Sequence, residues 1–268
     1  MMARLTIWLR RVDAQIRFRA SEITRRLLRK LIEIAITDLD LMAKFRGLMS
    51  SVEFEHDYLS NATPFKGRTQ LLGWALDQLK DTDGLFLEFG VYKGDSINLL
   101  ADLKPNVIWF GFDSFVGLPE DWDPGAKAGA FNLGKKLPPV RSNVRLVSGF
   151  FAETLPTFVA QHRGERVAFL HVDCDLYSST KTVLTALKDM LVPGSIILFD
   201  ELINYPGWQD HEYRAFMEYV AEQNISFEYI GYDRTSSRVA VRLTSARAGE
   251  HPPMQSTMPK GAAGACPQ

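Results

Sequence analysis

The amino-acid sequence predicts a doubly wound, mostly parallel α/β sheet. Near-continuous apolar runs suit strands that are buried on both faces, and stretches with helical spacing separate these runs. Strands that alternate with helices favour parallel pairing through crossover connections. The chain has 268 residues, 46% of them hydrophobic and 24% charged, which suits one large α/β domain with terminal extensions.

Seven strands are expected along the chain, at residues 85–89, 107–112, 144–147, 167–172, 195–199, 227–232 and 238–243. Four stretches between them have the spacing of helices: residues 96–103, 154–161, 180–191 and 211–223. The third helix should end before Pro193 and Gly194, because a proline-glycine pair cannot continue it.

The last two strands should pair antiparallel. Only about five polar residues join them, and a parallel crossover needs a dozen or more. A mostly parallel seven-stranded sheet with one antiparallel strand is the architecture of the Rossmann-like class I methyltransferases. We therefore predict this α/β fold for residues 61–243.

Both ends of the chain differ from this central unit. The first thirty residues contain nine basic and two acidic residues, interleaved with apolar ones at a loose helical period. We interpret residues 1–60 as a basic N-terminal helical extension that packs on the body or on a second subunit. There are two alternatives. The segment could be a helix that contacts a membrane surface or an acidic partner, or it could be an organellar transit peptide. Residues 244–268 are rich in proline, glycine and alanine, and we expect this tail to be disordered.

Composition excludes several kinds of protein. A net charge of −1 and a pI near 6.5 argue against binding to nucleic acid through an overall positive field. Two cysteines, Cys174 and Cys266, exclude a disulfide scaffold and an all-cysteine zinc site. No apolar run reaches the ~18 residues that a membrane-spanning helix needs. We expect a cytoplasmic protein that forms a homo-oligomer.

The turn after the first strand is a candidate cofactor site. It contains Glu88, Gly90, Gly94 and Ser96, but it lacks the clustered glycines that let a pyrophosphate approach. An acidic turn with close backbone suits a ligand without phosphates, and S-adenosylmethionine fits because its amino and sulfonium groups are cationic. The alternative is that both glycines only serve the turn and its packing.

The ends of the second and third strands complete this prediction. Asp113 ends the second strand, where an acid takes the ribose hydroxyls in nucleoside-binding α/β folds, and Ser114 follows it. Ser148 and Gly149 follow the third strand, where the adenine is expected by position alone. Two strand-end acids, Glu88 and Asp113, therefore favour S-adenosylmethionine as the cofactor.

Four further acids follow the fourth and fifth strands: Asp173, Asp175, Asp200 and Glu201. The carboxyl ends of neighbouring parallel strands meet at one edge, so these side chains should converge there. Carboxylates that are so close need shared protons or a cation, and oxygen ligands favour Mg²⁺. The alternative is that they are solvated helix caps. We expect the neighbouring His171 to be a core histidine and not a ligand.

Several motifs in order resemble the macrocin O-methyltransferase (TylF-type) family: E-F-G-V-Y-K-G, G-F-D-S-F-x-G-L-P-E, H-V-D-C-D-L-Y-S-S-T and F-D-E-x-x-N-Y-P-G-W-Q-D-H-E-Y. The resemblance covers residues 61–243. It implies methylation of a hydroxyl on a sugar or a glycosylated small molecule, with S-adenosylmethionine and Mg²⁺.

The resemblance also implies roles for the acids. Asp173, Asp200 and Glu201 would hold the metal, with Asp173 also contacting the cofactor, and Asp175 would be the general base. Glu201 stands where antibiotic-tailoring members commonly have a second aspartate. We expect the long loop of residues 115–142 to close over cofactor and acceptor, the alternative being a plain surface excursion.

Two other functions compete with this one. A sugar-nucleotide oxidoreductase or epimerase on the same sheet would need three clustered glycines in the first turn and a Tyr-x-x-x-Lys pair beside the cofactor, and the first turn lacks the glycines. A methyltransferase-like nucleoside-binding protein without catalysis would not need Asp173, Asp175 and Asp200 together.

Overall fold

The computed structural model describes residues 22–30, 37–122 and 125–245. Residues 22–30 are helical, and the N-terminal stretches 1–21 and 31–36 and almost all of the predicted tail lie outside the described residues. Helices and strands then follow in the order α1 (Leu39–Tyr58), β1 (Thr63–Phe65), α2 (Arg68–Asp77), β2 (Leu85–Phe89), α3 (Asp95–Leu103), β3 (Trp109–Asp113), β4 (Val144–Ser148), α4 (Phe151–Gln161), β5 (Val167–Val172), α5 (Tyr177–Ala186), β6 (Ile196–Phe199), a 3-10 turn (Trp208–Asp210), α6 (Glu212–Gln223), β7 (Ser226–Asp233) and β8 (Val239–Thr244).

The strands form one sheet in the order β1-β7-β8-β6-β5-β2-β3-β4. Strand β8 pairs antiparallel with both β6 and β7, and every other pair is parallel. The predicted fold class is therefore confirmed, including its single antiparallel strand. The described part of the sheet has eight strands and not seven, because β1 adds to the edge beside β7.

Both faces of the sheet are covered. Alternate residues of β2 point to opposite sides, so that Leu87 and Phe89 belong to one core while Phe86 belongs to the other. Strand β5 divides in the same way, with Leu170 in the first core and Phe169 in the second. Burial on both faces explains why these strands are nearly continuous apolar runs in the sequence.

The second half of the predicted extension packs on this sheet domain. In α1, the ring of Phe54 contacts Trp208 at 5.2 Å and Tyr229 at 5.5 Å between ring centroids. Ser51 accepts a 2.7 Å hydrogen bond from the backbone N–H of Asn204. The boundary at residue 60 remains a prediction, but α1 contributes to the core. In the described part of the chain, no helix combines the length and apolar character that crossing a membrane requires.

Replacing Phe54 tests how much α1 contributes to stability. Phe54→Ala should lower the free energy of unfolding by about 3–5 kcal/mol, because Phe54 is buried among aromatic rings and its loss leaves a cavity. Urea unfolding followed by circular dichroism measures this change. The exposed neighbour Glu53 is the control, and Glu53→Ala should stay within about 0.5 kcal/mol of the parent. Equal effects of the two substitutions would show that α1 is not part of the cooperative unit.

Candidate active site

A cavity of about 460 Å³ lies at the carboxyl edge of the sheet, where α/β proteins place their ligands. Its walls come from the turns after β2, β3, β5 and β6 and from the long loop between β3 and β4. The predicted site residues that line it are Gly90, Ser96, Asp113, Ser114, Asp173, Asp175 and Glu201. The sequence therefore brings most of its predicted cofactor residues and its predicted base to one cavity.

Gly90 lets the turn after β2 touch the backbone of the acidic segment. Its φ angle is +93°, and a Cβ atom there would lie 1.6 Å from the carbonyl oxygen of Asp173. The backbone N–H of Asp173 donates to the carbonyl of Phe89 at 2.8 Å, which holds the two segments together. Glycine is therefore required here by the approach of one strand end to the next.

Two other residues of the same motif lie outside the cavity wall. Glu88 is fully buried, accepts a hydrogen bond from the Ser96 hydroxyl at 3.1 Å and lies 3.0 Å from His171 Nδ1. Gly94 has a left-handed conformation, φ +85°, at the start of α3. The structure therefore places Glu88 behind Ser96, where it positions other side chains.

Asp113 holds the cavity turn and also lines the cavity. Its Oδ2 atom accepts hydrogen bonds from the N–H groups of Val91 at 2.9 Å and Tyr92 at 2.7 Å. Its Oδ1 atom accepts one from the Phe115 N–H at 2.7 Å. A carboxylate offers about four acceptor positions. One position on Oδ1 therefore remains for a ligand hydroxyl.

The wall beside β4 differs from the positional expectation. Ser148 is exposed at the end of β4, and the Gly149 N–H donates to the carbonyl of Asp113 at 3.0 Å. The cavity is lined instead by the next three residues, Phe150, Phe151 and Ala152. The side chains at the start of α4 therefore reach the cavity, whereas the end of β4 does not. They form an apolar surface against which a flat ring such as adenine could pack.

The acids after β5 and β6 converge as predicted. Asp173, Asp175 and Glu201 each place one carboxylate oxygen within 4.8 Å of the others. The strand does not continue through the two aspartates, because β5 ends at Val172. Asp175 instead adopts a left-handed conformation with φ +62°. This backbone turn, and not strand alternation, brings Asp175 to the same point as Asp173.

Asp200 belongs to a deeper group with His171. Arg238 binds both oxygens of Asp200, at 2.6 and 2.9 Å, and His171 Nε2 lies 3.5 Å from Asp200 Oδ1. Burial alone would lower the pKa of His171, but Asp200 and Glu88 outweigh it and raise the pKa to about 10. His171 is fully buried between two carboxylates, and with Asp173 and Asp200 it forms a second group whose ligand atoms lie within 4.8 Å of one another.

Sequence reasoning missed Arg68, which begins α2 at the cavity wall. Its Nη2 atom lies 3.0 Å from Asp173 Oδ2 and 3.7 Å from Asp200 Oδ1. The side chain is 30% exposed, and its Nε atom has no hydrogen-bond partner among the described residues. The guanidinium therefore bridges two predicted metal ligands while one of its edges stays free.

Glu212 was also missed as a site residue, although it lies inside the last of the four quoted motifs, directly after His211. It is fully buried at the first position of α6, and its Oε2 atom accepts a hydrogen bond from the Glu201 N–H at 3.2 Å. Glu212 thereby fixes the backbone that carries Glu201. Neither Arg68 nor Glu212 directly follows a strand. The sequence analysis selected acids at strand ends, so it could not identify these two residues.

Carboxyl groups outnumber the cationic side chains in this group. The cationic side chains are Arg68, His171 and Arg238, and the carboxylates are Glu88, Asp173, Asp175, Asp200, Glu201 and Glu212. Burial raises the pKa of Asp175 to about 6, against a hydrogen bond with Glu201 that lowers it. Burial and the neighbouring carboxylates also raise the pKa of Glu201 well above its usual range.

The donor set fits a hard divalent cation. The oxygen ligands of Asp173, Asp175 and Glu201 lie close enough to share one ion. The Oε2 atom of Glu201 is buried and has no hydrogen-bond partner in the described part of the chain. An orphaned carboxylate oxygen in an acidic cluster is the position that a cation would satisfy.

The loop between β3 and β4 covers part of the cavity. Leu118, Pro119, Trp122 and Phe131 line it from this side. The Ser178 hydroxyl at the start of α5 donates to Glu120 Oε1 at 2.5 Å, which ties the loop to the opposite wall. The described part of the loop thus forms one side of the cavity, and closure of the loop over a ligand remains a prediction.

The strand order, the single antiparallel strand and the cavity at the carboxyl edge define a Rossmann-like class I methyltransferase fold. Residues 66–237 match the sequence profile of the macrocin-O-methyltransferase (TylF) family. The chain belongs to this family, as the sequence motifs predicted.

Two curated O-methyltransferases are similar to this chain. The chain is 30% identical over 175 residues to the demethyldecarbamoylnovobiocin O-methyltransferase of Streptomyces niveus, covering 56% of this chain and 63% of that protein. It is 29% identical over 179 residues to the mycinamicin III 3''-O-methyltransferase of Micromonospora griseorubida, covering 56% and 66%. The chain therefore spans slightly less than two thirds of these relatives. The crystal structure of a calicheamicin methyltransferase is 26% identical with a TM-score of 0.54, covering 65% of this chain and 77% of that one.

Two glycines of the first turn should respond differently to a methyl group. Gly90→Ala should destabilise the protein more than Gly94→Ala, because its Cβ would overlap the backbone of Asp173. The Cβ of Gly94→Ala would meet no atom closer than 3.4 Å, so it carries only the left-handed strain of about 1–2 kcal/mol. Urea unfolding of both variants tests this order, and the reverse order would contradict the close contact.

Removing Arg68 should strengthen the binding of a divalent cation. Arg68→Gln removes a positive charge from beside Asp173, and we expect Mn²⁺ affinity to rise ~2- to 5-fold, as for a partly exposed ion pair. Calorimetry with Mn²⁺ measures the change. Arg141→Gln is the control, since Arg141 pairs with Asp102 on the surface. Weaker Mn²⁺ binding by Arg68→Gln would show that Arg68 organises the acids and does not compete with the cation.

Proposed function

We propose that the protein is an S-adenosylmethionine- and Mg²⁺-dependent O-methyltransferase that acts on a hydroxyl of a sugar or a glycosylated small molecule. The observation that carries the proposal is a single cavity that contains both the Gly90 turn with Asp113 and the acidic group of Asp173, Asp175 and Glu201. Membership of the TylF family supports it. The relatives named above are O-methyltransferases of demethyldecarbamoylnovobiocin and of mycinamicin III at its 3'' position, which supports a hydroxyl of a small molecule as the acceptor.

In this proposal the cofactor lies across the turns after β2 and β3. Asp113 accepts a ribose hydroxyl at the free position of its Oδ1 atom, and Phe150 and Phe151 provide the apolar surface for the adenine. Ser96 lies beside the methionine end, held by Glu88. The covering loop with Trp122 and Phe131 excludes water from the cavity.

Asp173, Asp200 and Glu201 would hold the metal. Bound Mg²⁺ raises the acidity of a sugar hydroxyl, and S-adenosylmethionine supplies the methyl group. Asp200 would join the metal only by giving up one of its two contacts with Arg238, so Asp173 and Glu201 would carry most of the metal binding. Asp175 accepts the hydroxyl proton at its carboxylate, and Glu212 keeps Glu201 in place.

An oxidoreductase reading is not favoured by the side chains that would serve it. Tyr177 and Lys181 have Tyr-x-x-x-Lys spacing, which a reductase would place beside its cofactor. Here the Tyr177 hydroxyl donates to Glu218 at 2.7 Å and Lys181 Nζ lies 3.2 Å from the same carboxylate. Both side chains are engaged with α6. The proposal also keeps the expected cytoplasmic setting.

Binding and turnover together test the proposal. Calorimetry should show binding of S-adenosylhomocysteine with or without EDTA, because Gly90 and Asp113 lie on other strands than the metal acids. Transfer of a labelled methyl group to a panel of rhamnosides and macrolide glycosides should require Mg²⁺ and cease in excess EDTA. Undiminished turnover in EDTA would remove the metal from the proposal. Absence of cofactor binding would remove the function.

The role of Asp175 can be separated from that of Asp173. Asp175→Asn should lower kcat ~10²–10⁴-fold with Mg²⁺ and cofactor affinities nearly unchanged, because the amide cannot accept a proton as a base. Asp173→Asn is the matched comparison, since it should weaken Mg²⁺ binding and recover activity partly at high Mg²⁺. Steady-state kinetics and calorimetry distinguish them. Exchanged behaviour would swap the two roles, and normal turnover by Asp175→Asn would call for another base.

A further inference from the structure

Helix α1 has an exposed apolar stripe opposite the face that packs on the domain. Its buried face contains Gly47, Ser51 and Phe54. The stripe consists of side chains that are 36–54% exposed: Leu41, Met42, Phe45, Leu48, Met49 and Val52. At 3.6 residues per turn they fall within an arc of about 120°. A continuous apolar surface of this kind marks an interaction site in a water-soluble protein.

The spacing of the stripe suits another helix. Leu41, Phe45, Leu48 and Val52 are separated by four, three and four residues, the spacing of a seam between paired helices. This run covers about 17 Å at the helical rise of 1.5 Å per residue. A helix of about three turns would cover it.

Charge decides which helix fits. Residues 38–58 contain five acidic and two basic residues, for a net charge of −3, and the acids lie at both ends of the helix. A second copy of α1 would place acids against acids in either orientation. Anionic lipid headgroups would be repelled for the same reason. The partner of the stripe should therefore be a basic helix with an apolar face.

The chain itself carries such a helix at residues 22–30. It has four basic residues and one acidic residue, for a net charge of +3. Ile23 and Leu27 lie one turn apart and are 59% and 58% exposed, so they do not cover α1 of their own chain in the described structure. Arg26 and Lys30 border the same face. The helix of residues 22–30 and helix α1 thus each expose an apolar surface, and the net charges of the two helices are opposite.

We infer that residues 22–30 of one copy dock on the α1 stripe of a second copy, and that the exchange is reciprocal. A reciprocal contact closes a two-fold dimer, the commonest arrangement of soluble oligomers. The interface would connect to the candidate site, because α1 also holds the segment after Glu201. Trp208 Nε1 donates to Ser50 at 3.0 Å, and a Cβ on Gly47 would lie 2.7 Å from the Tyr205 backbone.

Sedimentation velocity of the full chain tests this inference. The parent should have twice the chain mass of 30.3 kDa at micromolar concentration. Phe45→Glu combined with Leu48→Glu should give the monomer mass, and so should Arg26→Glu combined with Lys30→Glu. Leu137→Glu is the control, since Leu137 is 56% exposed outside the stripe and its variant should stay dimeric. Circular dichroism melting shows that each variant is folded.

Other outcomes would overturn the inference. A parent that is monomeric over the whole concentration range has no such interface. A dimer that is lost with the Phe45 and Leu48 changes but kept after charge reversal at Arg26 and Lys30 pairs α1 with α1. A monomeric parent that sediments with phosphatidylglycerol vesicles, and loses this binding with the Phe45 and Leu48 changes, uses the stripe on membranes. None of these results depends on the proposed methyl transfer.

Discussion

The concentration of carboxylates at one edge of the sheet is the constraint on which the rest of the site depends. Parallel strands end side by side, so the acids that follow β5 and β6 cannot avoid one another. The deeper part of this charge is met by His171 and Arg238, which are held inside the fold. The outer part, at Asp173, Asp175 and Glu201, faces the cavity with Arg68 as its nearest cation. The buried carboxylates of Glu88 and Asp200 thus have cationic partners within the fold, and the carboxylates at the cavity are left for an exchangeable partner.

A single residue links the two arginines of this group. Asp233 ends β7 and is 1% exposed. Its Oδ1 atom accepts a hydrogen bond from the N–H of Gly67, directly before Arg68, at 3.2 Å, and its Oδ2 atom lies 3.7 Å from Arg238 Nη1. The pair of β1 and β7 at the edge of the sheet therefore helps to position Arg68 and Arg238. This explains why so short a strand matters to the site.

Hydrophobic periodicity in the sequence predicted the buried strands, and the position of acids directly after those strands predicted where they converge. Buried parallel strands such as β5 are continuous apolar runs, and acids that follow them directly were found where they converge. Strand β1 was missed because three residues that include Pro64 carry no alternation. Helix α2 was missed because no capping side chain marks its start, whereas α1 lies inside the helical extension predicted for residues 1–60. Arg68 was missed with α2, since a lone arginine in an unassigned segment gives no local signal.

Contacts between distant segments explain the remaining differences at the site. The sequence analysis interpreted the acidic turn after β2 as a cofactor contact. In the structure Glu88 is buried and contacts His171, which lies 83 positions later in the chain. Gly90 has its conformation because the backbone of Asp173 passes 1.6 Å from where its Cβ would be. Both facts have the same origin, the close parallel pairing of β2 with β5. Pairing of these two strands brings the predicted cofactor turn and the predicted metal acids to one cavity, so a ligand held by the first lies within reach of the second.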